Sequence, residues 1–260
     1  MPEGDTIFRT ATTLNRVLAG ERITGFRSPL PTMADAGLVG KRIERVEARG
    51  KNLLIHIDDG RALYSHMRMA GSWHIYRPGE SYQKPERQAK AVFETAAMVA
   101  VCFNAPVVAL LTQREITRHP VLQRLGPDLL HSTFDGNEAC RRLRERNELA
   151  IGVALIDQGA LAGIGNIYKS ETLFLCRMNP FRAVQAIPDP QLQELISKAR
   201  ELMMANLGSF PRTTRHALDG QRLWVYGRSR RPCRRCGTII RMKRQGTDAR
   251  STYWCPHCQL

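Results

Sequence analysis

The chain has 260 residues, and its 39 lysines and arginines against 24 aspartates and glutamates give a formal net charge of +15 at pH 7. This length suits one large domain or two small ones, and a hydrophobic content of 43% is enough for a real core, which excludes a disordered polyelectrolyte. The excess of positive charge predicts a polyanionic partner, with nucleic acid favoured over an acidic membrane surface.

The first twenty residues predict an amphipathic helix rather than an export signal. Asp5 or Thr6 is expected to cap it and Gly20 to end it. The opening residues 1–5 are acidic and contain few apolar side chains, the reverse of a signal peptide.

An uncharged stretch at 95–112 is interrupted by the turn-forming residues 104–106, so it predicts two strands rather than a membrane helix. We therefore expect a soluble, cytoplasmic protein.

The next hundred residues show strand patterns separated by turns. The sequence Asp58-Asp59-Gly60 predicts a tight turn between two of them, and the polar residues 77–90 predict a loop or mobile segment. Short strands with frequent turns indicate an antiparallel sandwich or barrel. The strand candidates are 43–48, 53–57, 62–65, 72–76, 91–95, 98–103 and 107–112.

After Gly126-Pro127-Asp128 the hydrophobic period becomes helical. In the last helix we expect Asp189 as the cap and Pro190 at the first position. A cysteine-containing tail begins near residue 222. The fold class is thus α+β, with domains at 1–127, 128–221 and 222–260. The helix candidates are 137–147, 149–158, 166–177 and 190–207.

Four of the seven cysteines form two close pairs near the end of the chain. Cys233 and Cys236 make the first pair and Cys255 and Cys258 the second, with eighteen residues between the pairs. This spacing predicts a four-cysteine zinc ribbon in which four thiolates close a tetrahedral shell around one structural Zn²⁺. A segment of this size has little core of its own, so the metal would stabilise its fold. Its many arginines favour phosphate contact.

Two further segments contain groups suited to chemistry. Removal of the initiator methionine would leave Pro2 as a secondary amine at the N-terminus, and an α-amine is less basic than a lysine, which favours attack on a carbonyl-level carbon. Glu3 adds a carboxylate for proton transfer.

In residues 161–168, Gly163 and Gly165 allow a tight turn, and Asn166 is expected to cap a helix whose N-terminus can face an anion.

Several motifs in one order resemble the formamidopyrimidine-DNA glycosylase and endonuclease VIII family. They extend from residue 2 to residue 259, and the start Pro-Glu-Gly is similar to the endonuclease VIII branch. The motifs are Met1-Pro2-Glu3-Gly4, Arg49-Gly50-Lys51, the run from His66 to Gly71, the run from Gly126 to Leu130, the run from Gly163 to Tyr168 with Glu171, the run from Val225 to Arg228, and the four-cysteine ribbon.

The resemblance implies a β-sandwich, a helix–two-turn–helix domain and a zinc ribbon, and it implies roles for individual residues. Pro2 would be the nucleophile, Glu3 the catalytic acid and base, and Lys51 a cation beside the lesion. His66, Asn166 and Arg250 would hold DNA phosphates, and Met69 would fill the space left by an extruded base. Glu171 matches a glutamate of the family's pocket region, although a structural role is equally open.

The resemblance implies a monomeric, bifunctional DNA glycosylase and AP lyase that excises oxidised pyrimidines and cleaves the strand by β,δ-elimination. Preference for oxidised purines is an alternative within the same chemistry. Single-stranded or bubble DNA remains open beside duplex DNA as substrate. An alternative of another class is a zinc-ribbon DNA-binding protein without catalysis.

Overall fold

The first helix, α1 (Gly4–Leu18), buries one apolar face, and Glu3 is its N-cap residue. The backbone carbonyl of Glu3 accepts hydrogen bonds from Thr6 N and Ile7 N at 2.9 and 3.1 Å, whereas no side chain caps the helix. The expected cap at Asp5 or Thr6 is therefore wrong, because both residues already lie in the first turn. Gly20, with a φ of +84°, follows the helix end as expected.

The structure is a computed structural model that describes residues 2–208, 211–215, 217 and 219–260. It divides into two units, Met1–Gln123 and Arg124–Leu260, and each is described by itself. None of the helices in the described part of the chain combines the length and the hydropathy that a bilayer span requires.

The first unit is a sandwich of two antiparallel four-stranded sheets, as the strand spacing predicts. One sheet has the order β2-β3-β4-β8 and the other the order β1-β6-β7-β5. The turn at 58–60 joins β3 to β4. The strands are β1 (Gly25–Arg27), β2 (Ile43–Arg49), β3 (Asn52–Ile57), β4 (Arg61–His66), β5 (Ser72–Tyr76), β6 (Ala89–Glu94), β7 (Val99–Phe103) and β8 (Val107–Thr112).

The core of this unit consists of the inward faces of both sheets and the apolar face of α1. Alternation along the strands puts every second side chain into it, as Leu53, Ile55 and Leu63 illustrate. The stretch at 95–112 forms β7 and β8, as expected, with Asn104 in the turn at a φ of +52°.

The predicted loop at 77–90 is shorter than expected and folds back on the outer face of the second sheet. Tyr82 packs against Tyr76 and Phe103, with ring centroids 4.9 and 5.9 Å apart. The backbone N of Gln83 donates to the Tyr76 hydroxyl at 3.1 Å. A short 3₁₀ turn precedes β6, which already begins at Ala89. We call residues 77–88 the outer connection.

Two short helices, α2 (Gln113–Arg118) and α3 (Pro120–Gln123), end the first unit. Thr112 and Glu115 form a reciprocal capping box at the start of α2.

The second unit is mainly helical and ends in a two-stranded ribbon. The predicted helix at 149–158 is only a short one, and Asn166 does not cap its helix, because Gly165 occupies the cap position. Pro188 precedes the last helix, so Asp189 is its first residue rather than its cap, and Pro190 is the second. The elements are α4 (Gly136–Arg144), α5 (Ile151–Ala154), α6 (Asn166–Leu175), α7 (Asp189–Met204), β9 (Arg241–Gln245) and β10 (Arg250–Trp254).

Candidate functional site

The turn between β2 and β3 holds Lys51 in a fixed backbone position. Gly50 has a φ of +59°, a conformation that favours glycine. Asn52, which is buried, accepts a hydrogen bond from the Tyr64 hydroxyl at 2.7 Å and donates to the Arg49 carbonyl at 2.9 Å. The hydrogen bond from Tyr64 on β4 thus fixes the position of the turn. Lys51 lies at the tip of this turn and is half-buried.

Helix α1 points its N-terminus toward the same end of the first unit. Gly20 N donates to Ile43 O, and Val46 N donates to the Asn15 side chain, each at 2.7 Å, so the helix and β2 run alongside each other in opposite directions. From Asn15 to Glu3 the helix rises about 18 Å, and from Val46 to Lys51 the strand extends about 17 Å. Pro2 and Glu3 therefore lie at the same end of this unit as Lys51.

Two carboxylates are buried in the first turn of α1. The side chains of Glu3 and Asp5 are both 0% exposed. Arg9, one turn later, has a guanidinium nitrogen 3.9 Å from the Asp5 carboxylate. The positive end of the helix dipole stabilises negative charge at this position. Sequence reasoning treated Asp5 as a cap and missed its burial beside Glu3, because burial in the first turn depends on the sheet behind the helix.

His66 is the last residue of β4 and lies next to the turn between β2 and β3. The register pairs Leu53 with Ser65, which puts His66 level with the start of β3. Its Nδ1 accepts a hydrogen bond from Arg68 N at 3.1 Å, so the ring proton is on Nε2. Burial, followed by the positive charges of Arg68 and Lys51, lowers the pKa of His66 below its ordinary value. At neutral pH it is therefore a neutral N–H donor.

The loop after His66 presents Met69 to solvent. Met67 is buried in the core, and Gly71 N donates to its carbonyl at 2.8 Å, which closes a tight turn. Met69 is 67% exposed, so it is not a buried loop methionine. A Cβ at Gly71 would approach the Met67 backbone to 2.7 Å, so only glycine fits this turn.

In the second unit, Asn166 opens α6 after a glycine turn. Gly163 has a φ of +99°. The Gln158 side chain accepts from Gly163 N at 3.1 Å and donates to Ile164 O at 3.0 Å, so it holds the turn from within. Asn166 itself is nearly buried. Sequence reasoning did not single out Gln158, whose partners become apparent only in the folded turn.

A buried lysine joins α6 to the ribbon. Lys169 is 0% exposed, and its Nζ donates to Ser251 O at 3.1 Å and to the Thr252 hydroxyl at 2.8 Å. These partners follow Arg250, the exposed first residue of β10, which pairs with Gln245 on β9. Lys169 thus ties the Arg250 strand to the helix that begins at Asn166.

Glu171 has a structural role in the second unit. One of its oxygens accepts from Val225 N and Tyr226 N, each at 2.8 Å, and the other accepts from Trp224 N at 2.7 Å and from the Thr214 hydroxyl. The carboxylate is fully buried, and four donors compensate its charge. It therefore ties Thr214 and the run from Trp224 to Tyr226 to α6.

The four ribbon cysteines converge as their spacing predicts. All four Sγ atoms lie within 4.8 Å of one another. Cys233 and Cys258 are 4.0 Å apart, Cys236 and Cys255 3.5 Å, and Cys236 and Cys258 3.4 Å. Tetrahedral zinc with Zn–S bonds of about 2.3 Å requires Sγ–Sγ distances of about 3.8 Å. The cluster therefore fits a metal ion with a closed shell of four thiolates.

The cations of the tail fall into two groups. Arg235, itself exposed, stacks on the Phe174 ring, 4.6 Å from its centroid, and half-buried Arg234 donates to Gln221 at 2.7 Å, so both side chains have partners within the unit. The second group is exposed on the ribbon hairpin and presents positive charge to solvent, and it consists of Arg241, Lys243, Arg244 and Arg250.

Comparison with known proteins identifies the family. The chain is 41% identical over its whole length to "Probable endonuclease 8 2" of Streptomyces coelicolor, covering 94% of that protein. It is 38% identical to "Endonuclease 8 2" of Mycobacterium bovis, with full coverage of both chains. The chain belongs to the formamidopyrimidine-DNA glycosylase and endonuclease 8 family. The DNA glycosylase and AP lyase class predicted from the sequence is thereby confirmed.

Three family models match successive parts of the chain. They are the formamidopyrimidine-DNA glycosylase N-terminal domain at residues 1–109, the H2TH domain of the same glycosylase at 125–215, and the zinc finger found in FPG and IleRS at 231–260. A DNA complex of Lactococcus lactis formamidopyrimidine-DNA glycosylase has the same fold, with a TM-score of 0.83, 24% identity and 99% coverage of both chains. The predicted fold class is confirmed.

Proposed function

We propose that this member of the endonuclease 8 family is a bifunctional DNA glycosylase and AP lyase that uses Pro2 as its nucleophile. The observation that supports this most directly is Glu3, a fully buried carboxylate next to Pro2 and at the same end of the first unit as Lys51 and His66. A carboxylate retained in a buried position beside an amine suits proton transfer. A relative in Mycolicibacterium smegmatis, 36% identical, is named "DNA-(apurinic or apyrimidinic site) lyase Nei2".

The proposed chemistry begins after removal of Met1, which leaves Pro2 as a secondary amine. Its nitrogen attacks C1′ of the damaged nucleotide, the glycosidic bond breaks, and the base leaves with the proton that the Pro2 nitrogen gives up. Glu3 protonates the ring oxygen, and the opened sugar stays attached as an iminium. Loss of a proton from C2′ then expels the 3′ phosphate by β-elimination, and δ-elimination expels the 5′ phosphate. Lys51 holds a phosphate beside the reacting sugar.

Both units supply DNA contacts in this proposal. His66 donates from Nε2 to a phosphate oxygen, and Asn166 and Arg250 hold phosphates on the second unit. Met69, exposed on a rigid turn, enters the stack that the extruded nucleotide leaves. The exposed ribbon cations add affinity that does not depend on the lesion.

One Zn²⁺ per chain, held by Cys233, Cys236, Cys255 and Cys258, is proposed to stabilise the ribbon, and we propose a monomer that acts in the cytoplasm. The division into domains at 1–127, 128–221 and 222–260 belongs to the same proposal. The first unit of the structure ends at Gln123, and the three family models match successive segments in this order.

Oxidised pyrimidines are proposed as the preferred lesions. The support is the Pro-Glu-Gly start and the relatives named endonuclease 8 at 32% to 41% identity. Oligonucleotides containing one oxidised pyrimidine or 8-oxoguanine, each as duplex, bubble and single strand, would measure the preference directly. Equal or faster excision of 8-oxoguanine opposite cytosine would instead support the purine alternative.

Borohydride trapping on abasic duplex DNA tests the nucleophile. Reduction turns an iminium into a stable crosslink, so the mature protein should be trapped, and mass spectrometry should place the crosslink on Pro2. Pro2→Gly and Glu3→Gln should reduce excision by roughly a hundredfold or more.

The matched control is Glu44→Gln, because Glu44 is an exposed carboxylate at the other end of β2. It should be trapped like the unaltered protein. A crosslink that maps to a lysine, or excision undiminished by both substitutions, would remove Pro2 and Glu3 from the mechanism.

A further inference from the structure

Lys84, in the outer connection, takes part in a polar network at the start of β5. Its Nζ donates to the Ser72 hydroxyl at 2.8 Å, and the Ser72 oxygen is 3.0 Å from His74 Nε2. Since an ammonium can only donate, the Ser72 oxygen accepts from Lys84 and its hydroxyl proton is available to His74. Burial, followed by the charge of Lys84, lowers the pKa of His74, so the ring accepts in its neutral form.

This network holds a cation at the end of the first unit that presents Met69. Ser72 follows the tight turn from Met67 to Gly71 and is three positions after Met69. The two Cα atoms are therefore at most about 11 Å apart. With the reach of the Ser72 side chain and the 2.8 Å hydrogen bond added, the Lys84 ammonium lies within about 16 Å of the Met69 Cα, or about five base steps, since each DNA strand has one phosphate per roughly 3.4 Å of axis.

The ammonium lacks a balancing acid in the described part of the chain, where no carboxylate oxygen lies within 4.0 Å of its Nζ. The ammonium also lies over the Phe103 ring, 5.9 Å from its centroid. One of the three ammonium protons is directed to Ser72. The lysine is thus oriented in advance and retains its charge, as a phosphate contact requires.

We propose that Lys84, positioned by Ser72, binds a DNA backbone phosphate within about five base steps of the place that Met69 enters. This inference rests on the proposed function and adds a phosphate contact to the positions that the family resemblance implies. The competing role is structural, in which the lysine only fixes the outer connection to the sheet.

Salt dependence of DNA binding separates the two roles. Lys84→Met retains an unbranched side chain of similar length and removes the charge. With a duplex that contains an uncleavable abasic analogue, the slope of log K against log[salt] should become shallower by about 0.9, the value of one lost ion contact. Lys84→Arg should restore the slope. Urea denaturation of each variant reports its stability separately.

The matched control is Lys41→Met, because Lys41 is exposed next to the opposite end of β2. Its slope should stay unchanged. A Lys84→Met variant with lower stability and the slope of the unaltered protein would overturn the proposal, as would failure of both Lys84→Met and Lys84→Gln to fold. If the unaltered protein itself neither binds the duplex nor is trapped by borohydride, the proposed function fails first.

Discussion

Gly71 shows how one residue controls the presentation of a side chain. A Cβ at this position would lie 2.7 Å from Met67 Cα and 2.9 Å from Ala105 Cα, and both are backbone atoms that cannot move alone. Met67 is part of the core, whereas Met69, two residues later, is exposed. The glycine thus lets a buried residue anchor an exposed one.

Gly71→Ala should therefore displace the loop from 67 to 71. We expect a loss of about 1–3 kcal/mol in the free energy of unfolding, because the added methyl group overpacks a closed site. Excision should fall further than stability accounts for, since Met69 moves with the loop. Gly136→Ala is the control, because its Cβ would meet only a ring atom at 3.7 Å. Urea denaturation and excision assays measure the two effects.

Two histidines of the first unit, His66 and His74, give its stability a dependence on pH. Burial and nearby cations lower the pKa values of both His66 and His74 below 6.5. Between the lowered pKa values and 6.5 the unfolded chain binds more protons than the folded one. Stability is then complete above pH 6.5 and decreases as the pH falls below it.

His66→Gln should reduce the loss of folding stability at acidic pH, because a glutamine side chain does not bind a proton in this range. Urea denaturation at about pH 7.5 and about pH 6 should show a smaller difference for the variant than for the unaltered protein. Carboxylates such as Asp59, whose pKa is lowered, become protonated only below this pH interval, so they do not contribute to the difference. An equal or larger difference in the variant would contradict a buried, neutral His66.

At the scale of elements, strand register and helix direction bring distant residues to one end of the sandwich. Antiparallel pairing of β2, β3 and β4 aligns the Lys51 turn with His66, and the alignment of α1 along β2 adds Glu3. In the second unit, Lys169 on α6 holds β10 beside Arg250. Both arrangements depend on backbone geometry rather than on contacts between neighbours in sequence.

Lys169→Met should loosen the ribbon from α6. The Ser251 carbonyl and the Thr252 hydroxyl would lose their donor in a buried place, at a cost of about 2–3 kcal/mol in the free energy of unfolding. DNA affinity should fall because Arg250 is no longer held. Lys198→Met is the control, since this lysine pairs with Glu201 on the surface of α7 and such pairs contribute little. Equal effects of the two substitutions would argue against a role of Lys169 in holding β10 to α6.

At the scale of the whole molecule, we expect the positive charge and the proposed metal to have separate roles. The net charge of +15 includes arginines with partners within the second unit, such as half-buried Arg234 on Gln221, and others exposed on the ribbon hairpin. The ribbon core of Phe174, Val225, Ile240 and the cysteines is small. A cluster of this size would depend on the proposed metal for stability.

Removal of zinc should therefore unfold the ribbon and leave the sandwich folded. Elemental analysis should give about one zinc per chain, and a chelator or Cys255→Ala should abolish DNA binding while most strand signal in circular dichroism remains. The control is Cys176→Ala, because Cys176 is a half-buried cysteine outside the cluster. This variant should retain both DNA binding and the strand signal. A protein without metal that still binds DNA would contradict a zinc-dependent ribbon.

The sequence by itself determined the features that depend on local spacing. Period-two and helical patterns located the strands and the main helices, and the two cysteine pairs predicted a cluster that the structure brings within 4.8 Å. The ordered motifs identified the family. Local rules were wrong at the caps of α1, α6 and α7, because tertiary packing, not the best capping side chain, decided where each helix begins.

Only the tertiary structure decided the partners of the buried polar residues. Lys169 meets residues more than eighty positions away, Glu171 meets the backbone of Trp224 to Tyr226, and Lys84 meets Ser72 across a folded connection. Hydrophobic periodicity shows which faces are buried, but a polar side chain on such a face has no spacing rule that names its partner. Its partner depends on how the chain returns, which is a property of the fold as a whole.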